Sequence, residues 1–541
     1  MHRSAHVDSF ARDRLPPPEL WPALLLDRPE FSYPERLNCV SALLDRWVEK
    51  GEGGRRCLVA PDAAWSYGDL AERVNRIANV LVGRLGLVPG GRVLLRSANN
   101  PMLVAIYLAV MKAGGIAVAT MPLLRARELV TPIEVAAIPL ALCDSRLTEE
   151  MEKARALAPR LERIVTFNGG ASEGLEAMMA QASPEFSACD TASDDVCLLG
   201  FTSGTTGGPK ATMHFHRDVL AIADAYGAHV LRARGDDLFI GSPPLAFTFG
   251  LGGLVVFPMA VGAAAALIEK AGPNELLEAI ETFRPTILFT APTSYRAMLA
   301  APKRADLSSL RLCVSAGETL PRPTFEAWKA ATGISLMDGI GATEMLHIFI
   351  ASPPEDIRPG STGRPVFGYE AKIVDPRGVE VPHGTPGDLA VRGPTGCRYL
   401  ADARQTRYVR DGWNITGDTF IEDADGYFWF QARSDDMIVS AGYNISGPEV
   451  EASLVAHDAV AECAVVGAPD EARGVIVKAY VVLRPGLAPD PGLVAVLQDH
   501  VKADIAPYKY PRAIEFRAEL PKTPSGKIQR AALRAEAEKR G

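Results

Sequence analysis

Apolar runs of three to five residues, each short enough to be a buried strand, alternate with helical patterns through most of this chain. No other feature restricts the fold as much. Residues 92–95 read as a strand, 102–112 as a helix and 116–119 as the next strand. Residues 140–143 and 164–166 have the same texture, and a helical pattern over 275–283 leads into a strand-like run at 286–289. Strands separated by helices predict α/β units around largely parallel sheets. From about Gly363 the pattern turns to short strands and turns, at 371–374 and 387–391, which predicts a smaller β-rich subdomain. After Arg433 a compact α+β unit is expected, with helices over 448–457 and 492–504 and strands at 462–466 and 478–483.

A chain of 541 residues has room for about three or four domain-sized units. Its net charge of −8 is spread along the whole length. It lacks the basic stripe that a nucleic-acid backbone requires, so nucleic acid is not an expected partner. A polyanionic substrate would have to be met by individually placed Lys, Arg and backbone N–H groups. The cysteines at Cys39, Cys57, Cys143, Cys189, Cys197, Cys313, Cys397 and Cys463 form no C-x-x-C pair and no Cys/His cluster in sequence. That argues against a zinc site or a disulfide framework and fits reduced thiols in a cytoplasm. The charged, Pro-rich stretch 1–34 has no apolar segment of the secretory kind. Residues 238–268 contain no charged residue and are long enough to suggest a membrane span. Pro243, Pro244, Pro258 and several glycines interrupt that stretch, so it is expected to form a loop, a short helix and a buried strand. A membrane is therefore not an expected partner.

The densest chemical signal follows the strand-like run 197–201. It reads Thr202-Ser203-Gly204-Thr205-Thr206-Gly207-Gly208-Pro209-Lys210. Its glycines permit tight turns that expose backbone N–H groups. The hydroxyls add donors and Lys210 adds a point charge, a combination suited to a polyphosphate. The ordinary P-loop pattern is not met, because Pro209 precedes the lysine and Ala211 follows it.

This segment resembles the signature loop of the adenylate-forming superfamily of acyl-CoA synthetases, luciferases and peptide-synthetase adenylation domains. The resemblance runs in order from about residue 60 to about residue 530. Ser315-Ala316-Gly317-Glu318-Thr319 is similar to the adenine-cradling segment, and Asp338-Gly339-Ile340-Gly341-Ala342-Thr343-Glu344 to the core motif after it. Gly412 to Asp418 resembles the ribose motif, Arg433 to Ile438 the interdomain hinge, and Pro521 to Ile528 the C-terminal lysine motif. The implied fold is α/β. A large N-terminal domain (1–434) holds two parallel-type α/β sheet subdomains plus a small β-rich one, and a small, mobile α+β C-terminal domain spans 435–541.

The reaction implied is an ATP-dependent acid–thiol ligation. A carboxylate is a poor electrophile, so it first attacks the α-phosphorus of ATP, giving an acyl-adenylate and pyrophosphate. Coenzyme A then takes the acyl group. The resemblance implies that Thr202, Ser203, Gly204, Thr205, Thr206 and Lys210 hold the β- and γ-phosphates and that Thr343 faces the α-phosphate. It makes Glu344 the Mg²⁺ ligand, a hard oxygen for a hard cation. Gly317, Glu318, Thr319, Asp338, Gly339, Ile340 and Gly341 would contact the nucleotide, with Asp418 and Arg433 on the ribose. Lys527 would hold carboxylate and α-phosphate oxygens during adenylation. Asp435 would be the pivot that replaces Lys527 with Ser440, Ala441, Gly442 and Tyr443 at the CoA tunnel.

The acyl pocket is expected from Phe247, Thr248, Phe249, Ala316, Gly341, Met345 and His347. Peptide-synthetase domains carry an Asp near Phe247 and Thr248 to pair an α-ammonium, and its absence here disfavours amino acids. Residues 338–349 are similar to benzoate–CoA ligases, and the N-terminal 5–22 to the 2-aminobenzoate branch. A small aromatic acid, 2-aminobenzoate first, is therefore the expected substrate. Benzoate, a medium-chain aliphatic acid, or loading of a separate carrier protein are the alternatives, and a homodimer stays open.

Overall fold

A computed structural model of the chain describes residues 2–170, 174–202, 209–301, 305–433, 436–440, 443–470, 474–505, 509–523 and 526–540. One sheet orders its strands Arg163–Phe167, Leu140–Asp144, Arg92–Arg96, Ile116–Thr120, Val196–Thr202 and Lys210–Phe215. Neighbours are parallel except the last pair, which is antiparallel. The strands at 92–96, 116–120 and 140–144 are buried at every position, which is why they read as continuous runs rather than alternating ones. The helix Pro101–Lys112 between the first two starts where Pro101 presets its first turn and Asn100 accepts the Leu103 N–H at 3.0 Å. Ten of its other positions are buried along with Pro101, so it is apolar all round.

The larger sheet is parallel through Leu336–Gly341, Leu312–Ala316, Ile287–Thr290, Leu238–Gly241, Ala264–Ala266 and Arg56–Ala60, with antiparallel strands added at both ends. The uncharged stretch 238–268 differs from expectation at its start. Leu238–Gly241 is a central strand, not a loop, because it pairs with Ala264–Ala266 on one side and Ile287–Thr290 on the other. The prolines act after it, and helical turns from Thr248 to Val261 then lead back to the sheet. Among the described residues no helix is long and apolar enough to cross a membrane.

The β-rich part is an antiparallel sheet built from Glu370–Val374, Gly387–Arg392, Trp413–Glu422, Val409–Arg410 and Phe428–Arg433. Beyond it, Val460–Asp470 and Gly474–Leu483 form a long antiparallel pair, and Ala513–Arg517 joins the second strand in parallel. With helices Gly447–Ala456 and Pro491–Asp504 they enclose a separate apolar core around Val450, Val465, Val481 and Leu497. In open α/β sheets ligands bind outside the carboxyl ends of the strands. Here those ends release the segments at 202, 316 and 341.

Candidate active site

Sheet register builds the site. Val196–Thr202 and Lys210–Phe215 pair with Thr202 opposite Lys210, so the Gly/Thr-rich loop springs from a closed root. Ser203, Gly204, Thr205 and Thr206 lie outside the described residues. The Thr202 hydroxyl at the root is buried with no hydrogen-bond partner among the described residues. Residues 398–400 run beside the second strand. Met213 N–H donates to the Arg398 carbonyl at 2.7 Å, Leu400 N–H donates to the Ala211 carbonyl at 2.9 Å, and Thr212 bridges Tyr399. Tyr399 thereby comes to rest against Lys210.

These two residues meet the core motif. Lys210 Nζ donates to the Tyr399 hydroxyl at 2.9 Å, and that hydroxyl donates to Glu344 Oε1 at 2.5 Å. Lys210 and Glu344 stand 3.8 Å apart. The ammonium also lies over the Tyr399 and Tyr408 rings, at 4.7 and 5.7 Å from their centroids. Burial first, then the Glu344 charge, push the Tyr399 phenol well above its usual range, so it stays protonated. Glu344 is itself buried, an oxygen donor whose charge faces an ammonium and a hydroxyl, which fits a hard divalent cation.

A second polar chain reaches the same motif. His214 Nε2 donates to the Thr343 carbonyl at 2.8 Å. Its Nδ1 is 3.8 Å from Asp218, beyond hydrogen-bond reach, and Asp218 also receives the Arg398 guanidinium. All three side chains are 0% exposed. Gly200 completes the junction. A Cβ there would sit 2.5 Å from Thr343 Cγ2 and 3.9 Å from Thr248 Cγ2, so only glycine lets the core motif settle on the loop strand.

In the segments expected to meet the nucleotide, Ser315 pairs with Asp338 and Ala316 with Gly339, after which Gly317 turns at φ +89°. Burial pushes the Asp338 carboxyl up to about 8, and its Oδ1 has no partner among the described residues. Burial also raises the Glu318 carboxyl, against the opposing effects of Thr293 and of the Lys527 charge. Lys527 is exposed, and its backbone N–H donates to Thr523 Oγ1 at 3.1 Å. Asp418 is buried and faces Arg433 across the antiparallel sheet, although the Arg433 side chain is outside the description. Asp435, Ala441 and Gly442 are also outside it. Ser440 pairs with Tyr443 in a short hairpin and donates its hydroxyl to the Val475 carbonyl at 2.6 Å.

Of the residues expected to line an acyl pocket, Phe249 and Gly341 lie beside His347; Phe257 meets its ring edge-on at 4.6 Å between centroids, with Tyr226 at 5.3 Å and Phe249 at 5.8 Å. Neither ring nitrogen has a hydrogen-bond partner among the described residues. Burial holds the imidazole down at about 3, so it is neutral. A Cβ on Gly252 would fall 2.3 Å from His347 Cδ2, and one on Gly341 2.9 Å from the His347 backbone. Phe247 precedes the helical turn Thr248–Leu251, Ala316 ends its strand buried, and the Met345 carbonyl accepts from Thr395 at 2.7 Å. Tyr399, Tyr408, His214, Asp218, Arg398, Gly200, Tyr226 and Phe257 escaped the sequence reading. For His214, Asp218, Arg398 and Tyr399 the signal is polar residues inside largely apolar stretches, at 212–218 and 397–399; Gly200, Tyr226, Phe257 and Tyr408 carry no such signal.

Residues 44–399 match the AMP-binding enzyme family, and residues 449–527 match the AMP-binding enzyme C-terminal domain. The chain is 37% identical to the benzoate–CoA ligase of Thauera aromatica over 94% of its own length and 97% of that protein's. The crystal structure of the anthranilate CoA ligase AuaEII in complex with anthranoyl-AMP superimposes with a TM-score of 0.91 at 38% identity, covering 95% of this chain and 99% of that one. A benzoate CoA ligase from Burkholderia xenovorans superimposes with a TM-score of 0.84 at 32% identity, covering 92% and 100%.

Proposed function

Because this chain belongs to the AMP-binding enzyme family and is an AMP-forming acid–CoA ligase of the adenylate-forming superfamily, we propose that its acid is a benzoate-type carboxylic acid, with 2-aminobenzoate the preferred one. The observation that carries this reading is the neutral His347 imidazole enclosed by Phe249, Phe257 and Tyr226. Such a wall accepts a flat ring. Its imidazole can exchange a hydrogen bond with an uncharged aniline nitrogen, whereas an α-ammonium would be stranded without a carboxylate. The likeness to a benzoate–CoA ligase and to an anthranilate CoA ligase supports the same choice.

Thr202 to Thr206 and Lys210 grip the β- and γ-phosphates, and Thr343 meets the α-phosphate. Gly317 to Thr319 and Asp338 to Gly341 surround the base, and Asp418 with Arg433 holds the ribose. Magnesium on Glu344 would neutralise phosphate charge and ease the departure of pyrophosphate. Lys527 orients the carboxylate against the α-phosphorus, so that the new C–O–P linkage forms as the bond to pyrophosphate breaks. The domain over 435–541 then turns about Asp435. Ser440 to Tyr443 replace Lys527, and the CoA thiol displaces AMP from the acyl carbon. The eight free cysteines support a reducing, cytoplasmic setting.

Pyrophosphate release measured with 2-aminobenzoate, benzoate, 4-hydroxybenzoate and hexanoate tests the proposal. The expected order places both unsubstituted and ortho-amino rings far above hexanoate, with 2-aminobenzoate first. Hexanoate matching or exceeding the aryl acids would overturn the aryl reading, and benzoate leading would overturn only the choice of substituent.

A further inference from the structure

We propose that Tyr399 is a positioning residue of the adenylation half-reaction: its hydroxyl is a spacer that holds the Lys210–Glu344 ion pair at 3.8 Å and keeps it from closing into direct hydrogen-bonded contact. The inference rests on the reading above, in which Glu344 takes the metal and Lys210 the phosphates.

The phenol has one proton and it is committed. It donates to Glu344 Oε1 at 2.5 Å while its oxygen accepts from Lys210 at 2.9 Å. The two charged groups are held at 3.8 Å with the hydroxyl between them. Tyr399 is 1% exposed and fixed from several sides. Its backbone N–H donates to Gln405 Oε1 at 2.9 Å, and Gln405 Nε2 in turn donates to the carbonyls of Leu20 at 2.8 Å and Cys397 at 3.1 Å. Its ring packs edge-on to Tyr408 at 5.7 Å, and Thr212 bridges it to the strand that begins with Lys210. Without the hydroxyl, a carboxylate and an ammonium this close in a buried setting would collapse into contact. Each would then cover the surface the other's ligand needs: Lys210 the metal face of Glu344, and Glu344 the phosphate face of Lys210. The hydroxyl also engages Oε1, which leaves Oε2 as the oxygen offered to a cation. Partners of this kind orient a ligating carboxylate, and their loss typically costs ~10–100-fold in metal affinity or activity.

Tyr399→Phe removes one oxygen and keeps the ring. Calorimetric titration of ATP at a series of Mg²⁺ concentrations should show the Kd of the magnesium complex raised about ten-fold or more, and the Mg²⁺ needed for half-saturation raised with it. Thioester formation from supplied acyl-adenylate and CoA should stay within about two-fold of wild type, because that half-reaction does not use the phosphate grip. In a Lys210→Met background the ion pair cannot form, so adding Tyr399→Phe should move the Mg²⁺ dependence far less than it does alone. Unchanged nucleotide and metal affinity in Tyr399→Phe would overturn the proposal. So would equal loss of both half-reactions, or the same shift with and without Lys210. If wild-type protein forms no AMP from any acid, the reaction assignment fails, while the binding titrations still judge Tyr399.

Discussion

Replacing Arg398 with methionine should destabilise the N-terminal part of the protein by about 3–5 kcal/mol, the usual consequence of removing one partner from a buried ion pair. Arg398, Asp218 and His214 are each 0% exposed. Methionine keeps much of the stem and removes the guanidinium. The Asp218 carboxylate then stays at a fully buried site, held by the Phe215 N–H at 3.0 Å and with the His214 ring 3.8 Å away, but without the guanidinium. A folding unit of roughly 400 residues gains ~0.8 kcal/mol/K of entropy on unfolding, so this loss lowers the melting temperature by about 4–6 °C. Asp218→Leu in the same background removes the stranded charge. Apolar replacement of a whole buried pair is often neutral, so the double variant should recover most of the lost stability. Scanning calorimetry of wild type, both single variants and the double variant at one scan rate gives the coupling energy. The deficit of Arg398→Met should also shrink as the pH falls, because protonation of Asp218 removes the uncompensated charge. If the two single losses simply add, with no recovery in the double variant, the account of Arg398 as a charge partner is wrong.

Lys527→Ala should lose adenylation by orders of magnitude yet convert supplied acyl-adenylate to thioester. Equal loss of both half-reactions would contradict the exchange of Lys527 for the 440–443 segment. His347 is held at about 3 when folded and titrates near 6.5 when unfolded, so between those values the unfolded chain binds the extra proton. Its contribution to stability is therefore present above about pH 6.5 and declines on acidification, by at most ~1.4 kcal/mol per pH unit. His347→Gln should remove that slope from the melting temperature between pH 7 and pH 5, and parallel curves for the two proteins would refute it. Gly200→Ala puts a methyl 2.5 Å from Thr343 Cγ2 and should destabilise by about 1–3 kcal/mol while slowing pyrophosphate release at least ten-fold. An unaltered rate would mean that Thr343 is not set by this packing.

Much of the fold was legible along the chain. The runs at 92–95, 116–119 and 140–143 reappear as strands extended by one residue each, because strands buried on both faces must be apolar throughout. The stretch 238–268 was misread at its start because Pro243 and Pro244 weighed against extended structure, whereas Leu238–Gly241 ends just before them. The site was legible where it is contiguous, as at 202–210 and 338–344. It was illegible wherever one partner is remote. Nothing in the order of residues joins Tyr399 to Lys210 across 189 positions, or His214 to the Thr343 carbonyl across 129.

The sequence by itself determined the alternation of elements, the ordered motifs and the reaction type they imply. Periodicity, glycine-rich turns and the placing of single lysines are local properties that survive in one dimension. Tertiary structure alone decided that Tyr399 stands between Lys210 and Glu344, that Arg398, Asp218 and His214 brace Thr343, and that His347 is an uncharged ring among aromatic ones. Strand register and burial create those relations. Register is a property of paired strands, and burial moves a proton equilibrium only once the chain has closed around the group.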